Sequence, residues 1–271
     1  PELSMQVVVW SETNVTGPQH FEGVLPLPKA TKDFYRDIAV FAYPTPATNY
    51  IIPHISGKSA AVREEVLLRA MFPVLAGDAV VPRDRIVNLT GKLGQDGRLV
   101  WDVPVGNWTL LRLGHTTTGK DNHPAPLEGR GLECDKLSKE AAEVHFNNLM
   151  GKLIADNKPL VGEKRTLVST HIDSWEVGSQ NWTPRFREEF QRLRGYDPLP
   201  LLPVMSGRVV DSVEVSERFL WDVRQTVNDL LCENYAGHFR TLAHRHGMRL
   251  SIEAYDAPSD DMTYGGRADE P

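Results

Sequence analysis

Cysteine is nearly missing from this chain: 271 residues contain two, Cys134 and Cys232, far apart and in no metal-binding or redox spacing. That excludes a disulfide scaffold and a thiolate metal centre. Two buried free thiols are the expected state, with a single bridge as the alternative. No apolar run approaches the roughly 18 residues that a bilayer crossing needs, so no membrane span is expected. Positive charge is not in surplus either: 30 Lys and Arg stand against 36 Asp and Glu, a net charge of −6. Nucleic acid and anionic membrane surfaces need clustered cations and are therefore poor partners. A neutral ligand such as a sugar suits the chain better. Gly129 and Gly131 lack the third glycine of a dinucleotide fingerprint, and Gly91, Gly94 and Gly97 lack the Lys-Ser/Thr of a phosphate loop. His238, His244 and His246 are not in His-Glu-x-x-His spacing and read as a polar helix end. No charged-then-apolar leader is found. The chain opens at Pro1 without Met and closes at Asp269-Glu270-Pro271. We read it as a segment of a longer protein, with any export signal upstream.

What is present is ordinary globular material, 41% hydrophobic and 24% charged, enough to fill a sizeable core. Residues 1–115 read as β-rich and sandwich-like. Strand runs occur at Gln6-Val7-Val8-Val9-Trp10, at residues 37–43, at residues 98–103 and at residues 108–113. Turn signals lie between them at Gly17-Pro18, Pro44-Thr45-Pro46, Asp96-Gly97 and residues 104–107, the last predicting a hairpin. From residue 116 onward the pattern becomes α/β. Ser138 caps a predicted helix with apolar positions Ala142, Phe146, Leu149 and Leu153. A strand follows over residues 166–173, then a helix capped by Thr183, begun by Pro184 and stopped by Gly195. A long helix from Ser216 to His246 carries the stripe Leu220, Val223, Val227, Leu230, Leu231, Tyr235, Phe239 and Leu242, and Arg249-Leu250-Ser251-Ile252-Glu253 is a further strand. Strand, helix, strand with long crossovers predicts a parallel sheet. The fold class expected for residues 116–271 is the first part of a truncated (β/α)8 barrel.

Chemistry-bearing residues concentrate at two strand ends. His171-Ile172-Asp173-Ser174-Trp175-Glu176, with Gln180-Asn181-Trp182-Thr183 behind it, leads from a strand into a helix, and Glu253-Ala254-Tyr255-Asp256 follows the next strand. In parallel α/β folds that end of the strands faces the ligand crevice. Paired carboxylates serve glycoside hydrolysis, amides bind hydroxyls, and Trp offers a flat apolar face to a sugar ring. Glu176 and Glu253 are the catalytic candidates. His171, Asp173, Trp175, Asn181, Trp182 and Tyr255 are the substrate-binding candidates. A strand-end Glu is also commonly a solvated rim residue, Asp173 a turn cap, and a Trp a packing residue. Asp260 and Asp261 read as a charge pair on a loop, or as part of a hard-cation site.

Gly129-Arg130-Gly131-Leu132-Glu133-Cys134-Asp135-Lys136-Leu137-Ser138 resembles glycoside hydrolase family 106, the α-L-rhamnosidases. So do Asp173-Ser174-Trp175-Glu176, Gln180-Asn181-Trp182-Thr183, Gly195-Tyr196-Asp197, Ser216-Glu217-Arg218-Phe219 and Ile252-Glu253-Ala254-Tyr255. The resemblance covers roughly residues 100–271. It implies an inverting hydrolase with a catalytic barrel and accessory β-domains, exported to the periplasm or beyond, acting on plant pectin or other rhamnose-containing glycans. It also implies a calcium ion at the rhamnose hydroxyls, with no ligand assigned here. By that likeness Glu176 is the general acid, and Glu253 is the base or else a substrate or calcium ligand, with the true base then lying beyond Pro271. A retaining glycosidase of another barrel family, such as a β-galactosidase relative, and a non-catalytic glycan-binding module are the alternatives. Carboxyl separation decides the first, at about 6.5–9.5 Å for inversion and about 5–5.5 Å for retention.

Overall fold

The computed structural model describes residues 1–60 and 73–271. Four antiparallel strands, β1 (Gln6–Val24), β2 (Arg36–Pro44), β3 (Val87–Asn88) and β4 (Arg98–Thr117), form a sheet in the order β1-β4-β2-β3. The strand runs predicted at 98–103 and 108–113 are one strand, and neither Gly17-Pro18 nor residues 104–107 make a hairpin. The reason is that β1 pairs with β4 along both halves, Gly17 facing Gly106. Between Val103 and Gly106 β4 carries one residue more than β1 does across the same gap. Such a bulge resets the in–out alternation. Trp101 and Trp108, an odd number of residues apart, consequently share a face and meet edge to face at 5.4 Å. Both belong to one core with Leu99, Val103 and Leu110. A side chain at Gly17 would place its Cβ 2.0 Å from the Pro104 carbonyl oxygen, so only glycine fits there.

The helical part contributes α1 (Ile55–Ser59), α2 (Lys139–Phe146), α3 (Lys152–Asp156), α4 (Phe186–Arg194), α5 (Val213–Leu230), α6 (Gly237–His244) and α7 (Asp261–Gly265). Strands β5 (Ser169–Ile172) and β6 (Arg249–Ile252) pair in parallel. The second layer over the sheet is helical, so among the described residues the sandwich-like expectation is corrected: Phe41, Tyr43, Leu111 and Leu113 share a core with Trp182, Phe186, Phe190 and Phe219. A further core packs Ala142 and Phe146 of α2 and Phe239 and Leu242 of α6 onto Ile172, Leu250 and Ile252.

Ser138 caps α2 as expected, accepting from the Ala141 amide at 3.3 Å. Leu149 and Leu153 are exposed, against expectation, because a π-helical turn over Asn147–Gly151 inserts one residue and rotates the inward face onto Met150 and Ile154. α4 starts at Phe186, and the Thr183 hydroxyl turns away from the helix to donate to Asp135 at 2.7 Å. Gly195 ends α4 in the left-handed region, φ 82°. The long predicted helix is α5, a second π-helical turn (Leu231–Ala236) and α6, started by Ser212 rather than Ser216, and its predicted stripe is buried throughout.

Replacing Gly17 by Ala is expected to lower unfolding stability by about 2–3 kcal/mol through the forced bulge rearrangement. Gly91→Ala, where a Cβ meets open space, is the control and should leave the thermal midpoint unchanged.

Candidate active site

β5 and β6 run in register, Ile172 beside Ile252, and the Glu253 amide extends the ladder by donating to the Ile172 carbonyl at 3.0 Å. Thr170, Ile172, Leu250 and Ile252 are the buried positions. The alternate positions, His171 and Ser251, stand on the other face and join through His171 Nδ1 and Ser251 Oγ at 2.8 Å. Asp173 follows at the strand end, 3.8 Å from His171 Nε2 and largely exposed. Glu253 emerges at the same edge from the neighbouring strand, with Tyr255 half-exposed just beyond it. The structure therefore brings His171, Asp173 and Glu253 to one rim and adds Ser251.

Glu176 projects from the loop that follows β5. Among the described residues neither Glu176 nor Glu253 has a hydrogen-bond or ion-pair partner for its carboxylate, and both are exposed. They are available to a ligand rather than sealed in an Arg pair. Trp175 is less free. Its indole N–H donates to the Gly178 carbonyl, closing the turn that carries Glu176. The Lys136 ammonium lies 5.5 Å from the Trp175 ring centre and 5.3 Å from that of Tyr235. Lys136 is itself buried and ion-paired to Glu133.

Asn181 and Trp182 are not at the rim, and the expectation that they bind a sugar is corrected by their burial. The Asn181 side chain accepts from the Val8 amide at 2.8 Å and donates to the Ser59 carbonyl. Trp182 stacks on Phe186 at 5.0 Å inside the core between sheet and helices. Behind them sits Asp135, 1% exposed, which accepts from Gln180 Nε2 at 2.7 Å, the Thr183 hydroxyl at 2.7 Å and the Leu137 amide at 2.9 Å. Gln180 Oε1 in turn accepts from the Lys136 amide at 3.0 Å. Sequence reasoning missed Ser251, Asp135 and Lys136 as parts of this arrangement. The last two stood inside the quoted motif, but nothing in charge pattern or spacing marks a charged residue as buried.

Asp260 is used locally, accepting from the Thr263 amide and hydroxyl, each at 2.7 Å, to cap α7. Among the described residues no three His, Cys, Asp or Glu side chains come together as metal ligands. Asp173 and Glu253 alone do not fit a calcium cage, which takes 6–8 oxygens as a general rule. A cleft of about 330 Å³ lined by Leu137, Ser138, Thr183, Arg185, Glu189 and Asn234 flanks the Asp135 cluster and does not include the rim carboxylates.

The family model described as alpha-L-rhamnosidase matches residues 30–271. A curated relative from Formosa agariphila, provisionally named a beta-glucuronidase, is 43% identical over 269 residues, or 99% of this chain and 23% of that protein. The solved structure of a rhamnosidase from Novosphingobium sp. PP1Y matches at a TM-score of 0.85 and 24% identity, covering 99% of this chain and 39% of that one. At that identity the likeness concerns the fold. The chain thus spans about a quarter of the curated relative's length and well under half of the solved rhamnosidase.

Burial pushes the Asp135 carboxyl up to about 6, although Thr183, Gln180, the Leu137 amide and Lys136 all pull it down. A folded value above the unfolded one means that the proton is held more tightly in the folded state. The contribution to stability is then full below about pH 4 and lost as pH rises through about 6. His115, beside Trp182, behaves oppositely: burial, then Arg36, lowers it to about 4, so its contribution is present above about pH 6.5 and lost as pH falls through 4. Asp135→Asn should therefore cost least near pH 7. The stability gap between the native protein and this variant is expected to widen by on the order of 2 kcal/mol on going from pH 7 to pH 4. Amide hydrogen exchange at Leu137, Asn181 and Trp182 measures it at both pH values.

Proposed function

The chain belongs to the α-L-rhamnosidase family of glycoside hydrolases, and from that premise we propose that the protein containing it is an inverting α-L-rhamnosidase releasing L-rhamnose from plant pectin or other rhamnose-containing glycans. One observation carries the reading to these residues. The parallel pairing of β5 with β6 sends the Asp173–Glu176 loop and Glu253 out of one sheet edge, with both glutamates exposed and unpaired among the described residues. Carboxyl groups delivered by neighbouring strands to a common rim are the equipment that hydrolysis of a glycosidic bond requires.

In this mechanism Glu176 gives its proton to the departing glycosidic oxygen. A second carboxylate draws a proton from water on the opposite ring face, so the product forms with inverted configuration. Glu253 fills that second role or binds the substrate, in which case the base comes from elsewhere in the longer polypeptide. His171, held by Ser251, and Asp173 supply polar contacts for sugar hydroxyls. Trp175 and Tyr255 supply apolar ring surface. The two parallel strands are read as the opening of a (β/α)8 barrel over residues 116–271, after a β-rich accessory region at 1–115. A parallel bridge between Ser251 and Glu270, which lays further backbone along β6, supports that reading. Calcium belongs to the same proposal only with ligands from outside this segment, and no step above uses it. Export to the periplasm or the medium fits a polymeric glycan substrate, and among the described residues no helix is long and apolar enough to cross a membrane.

A β-glucuronide substrate is the second reading, favoured by the name of the 43% identical relative. Turnover of aryl α-L-rhamnoside against aryl β-D-glucuronide by the full-length protein separates the two. Rhamnose should be released first as its β-anomer by proton NMR, and release of the α-anomer excludes inversion. Glu176→Gln should reduce turnover of unactivated rhamnosides by about 10²–10⁴-fold while rhamnose binding persists by calorimetry. Undiminished turnover removes Glu176 from the acid role. Chelation should weaken rhamnose affinity if calcium holds the hydroxyls, and unchanged affinity in metal-free protein removes calcium.

A further inference from the structure

The segment Glu133-Cys134-Asp135-Lys136 has no part in the chemistry proposed above, yet its last two residues are internal and its first two only partly exposed. Asp135 is 1% and Lys136 4% exposed. Burying an ammonium is costly unless partners compensate. Here the compensation comes from Glu133 on one side and two aromatic faces, Trp175 and Tyr235, on the other. Tyr235 belongs to the core beneath β5 and β6, and the half-buried Trp175, which packs against that core and against the one between sheet and helices, stands directly before Glu176. Asp135 and Lys136 also hold the far end of the loop. The Lys136 amide donates to Gln180 Oε1, and the Asp135 carboxylate accepts from Gln180 Nε2 and Thr183. Between those two anchors the Trp175 indole N–H donates to the Gly178 carbonyl, and Val177 is buried.

We propose that Lys136 is a positioning residue for the loop that carries Glu176, acting through its cation–π contact with the Trp175 ring. The ammonium fixes the plane of the indole, the indole fixes the turn from Trp175 to Gly178, and the turn sets where the Glu176 carboxyl stands. Lys136 touches no substrate in this scheme. The inference rests on the assignment of Glu176 as the acid, but its geometric half, loop ordering by Lys136, is measurable without turnover.

The test uses the full-length protein with Lys136→Met, which keeps chain length and loses charge, Lys136→Arg, which keeps a cation, and Trp175→Phe, which keeps a ring and loses the N–H donor. Lys136→Met should speed amide exchange across residues 174–178 by about tenfold or more while Leu111 and Leu113, in the strand flanked by β1 and β2, stay protected. On a rhamnoside it should lower kcat by about 10–100-fold, by more than it raises KM, since misplacing a reacting group by about 1 Å can cost 10²-fold. Lys136→Arg should recover most of both effects, and Trp175→Phe should show the loop exchange and the kcat loss at unchanged sheet protection. A merely structural lysine predicts another result: exchange rising in loop and sheet together, or a folded Lys136→Met with unaltered loop exchange, and either overturns the proposal. Should Lys136→Met not fold, Trp175→Phe decides alone, and native loop exchange in that variant overturns it. If Glu176→Gln keeps full turnover while Lys136→Met still loosens the loop, the acid assignment fails and the loop-ordering half stands.

Discussion

One buried carboxylate ties the parts of this chain together. Asp135, almost fully shielded from solvent, accepts three hydrogen bonds, from Gln180, Thr183 and the Leu137 amide. Its neighbours extend the tie outward on both sides. The Asp135 amide donates to the Leu3 carbonyl, the Met5 amide donates to the Glu133 carbonyl, and the Asn181 and Trp182 amides both donate to the Gln6 carbonyl. The start of the sheet, the approach to α2 and the loop after β5 are thereby held by one polar cluster. Such a cluster is stabilising only when every member is satisfied, and the position of the rim depends on that condition.

The apolar packing around it follows from the same junction. The sheet face carrying Phe41, Tyr43, Leu111 and Leu113 would be an open hydrophobic surface without Trp182, Phe186 and Phe190. Those aromatic residues come from the segment that Asp135 and Asn181 fix by hydrogen bonds. The division of labour is clear: residues 180–183 secure the junction, and His171, Asp173 and Glu176 with Glu253 face outward. The loop after β5 thus does two jobs within a dozen residues, and its aromatic and amide content looks uniform in sequence because both jobs use the same side-chain types.

That overlap explains what could be read from sequence. The parallel strand pair, the cap at Ser138, the stop at Gly195 and the buried stripe from Leu220 to Leu242 were legible because periodicity and capping are local. The hairpin expected at residues 104–107 was not one, since a Pro-Val-Gly-Asn string reads the same in a turn and in a bulge; only the length of β1 decides between them. Leu149 and Leu153 were misplaced because a π-helical turn leaves no mark on composition. At the rim, His171, Asp173 and Glu253 were found from their place at strand ends. Asn181 and Trp182 were assigned to sugar binding because long-range partners such as Val8, Ser59 and Phe186 do not show in a single sequence.

Both long helical arms that cover β5 and β6 are interrupted by a widened turn, one over Asn147–Gly151 and one over Leu231–Ala236. A widened turn is an α-helix with one residue looped in, and the faces before and after it stay aligned with the core. The helical arms are therefore places where the gene can gain or lose a codon without shifting the strands they shelter. Length variation among descendants of this chain should collect at those two turns, and not in the loop after β5, whose far end Gln180 and Asn181 hold by hydrogen bonds.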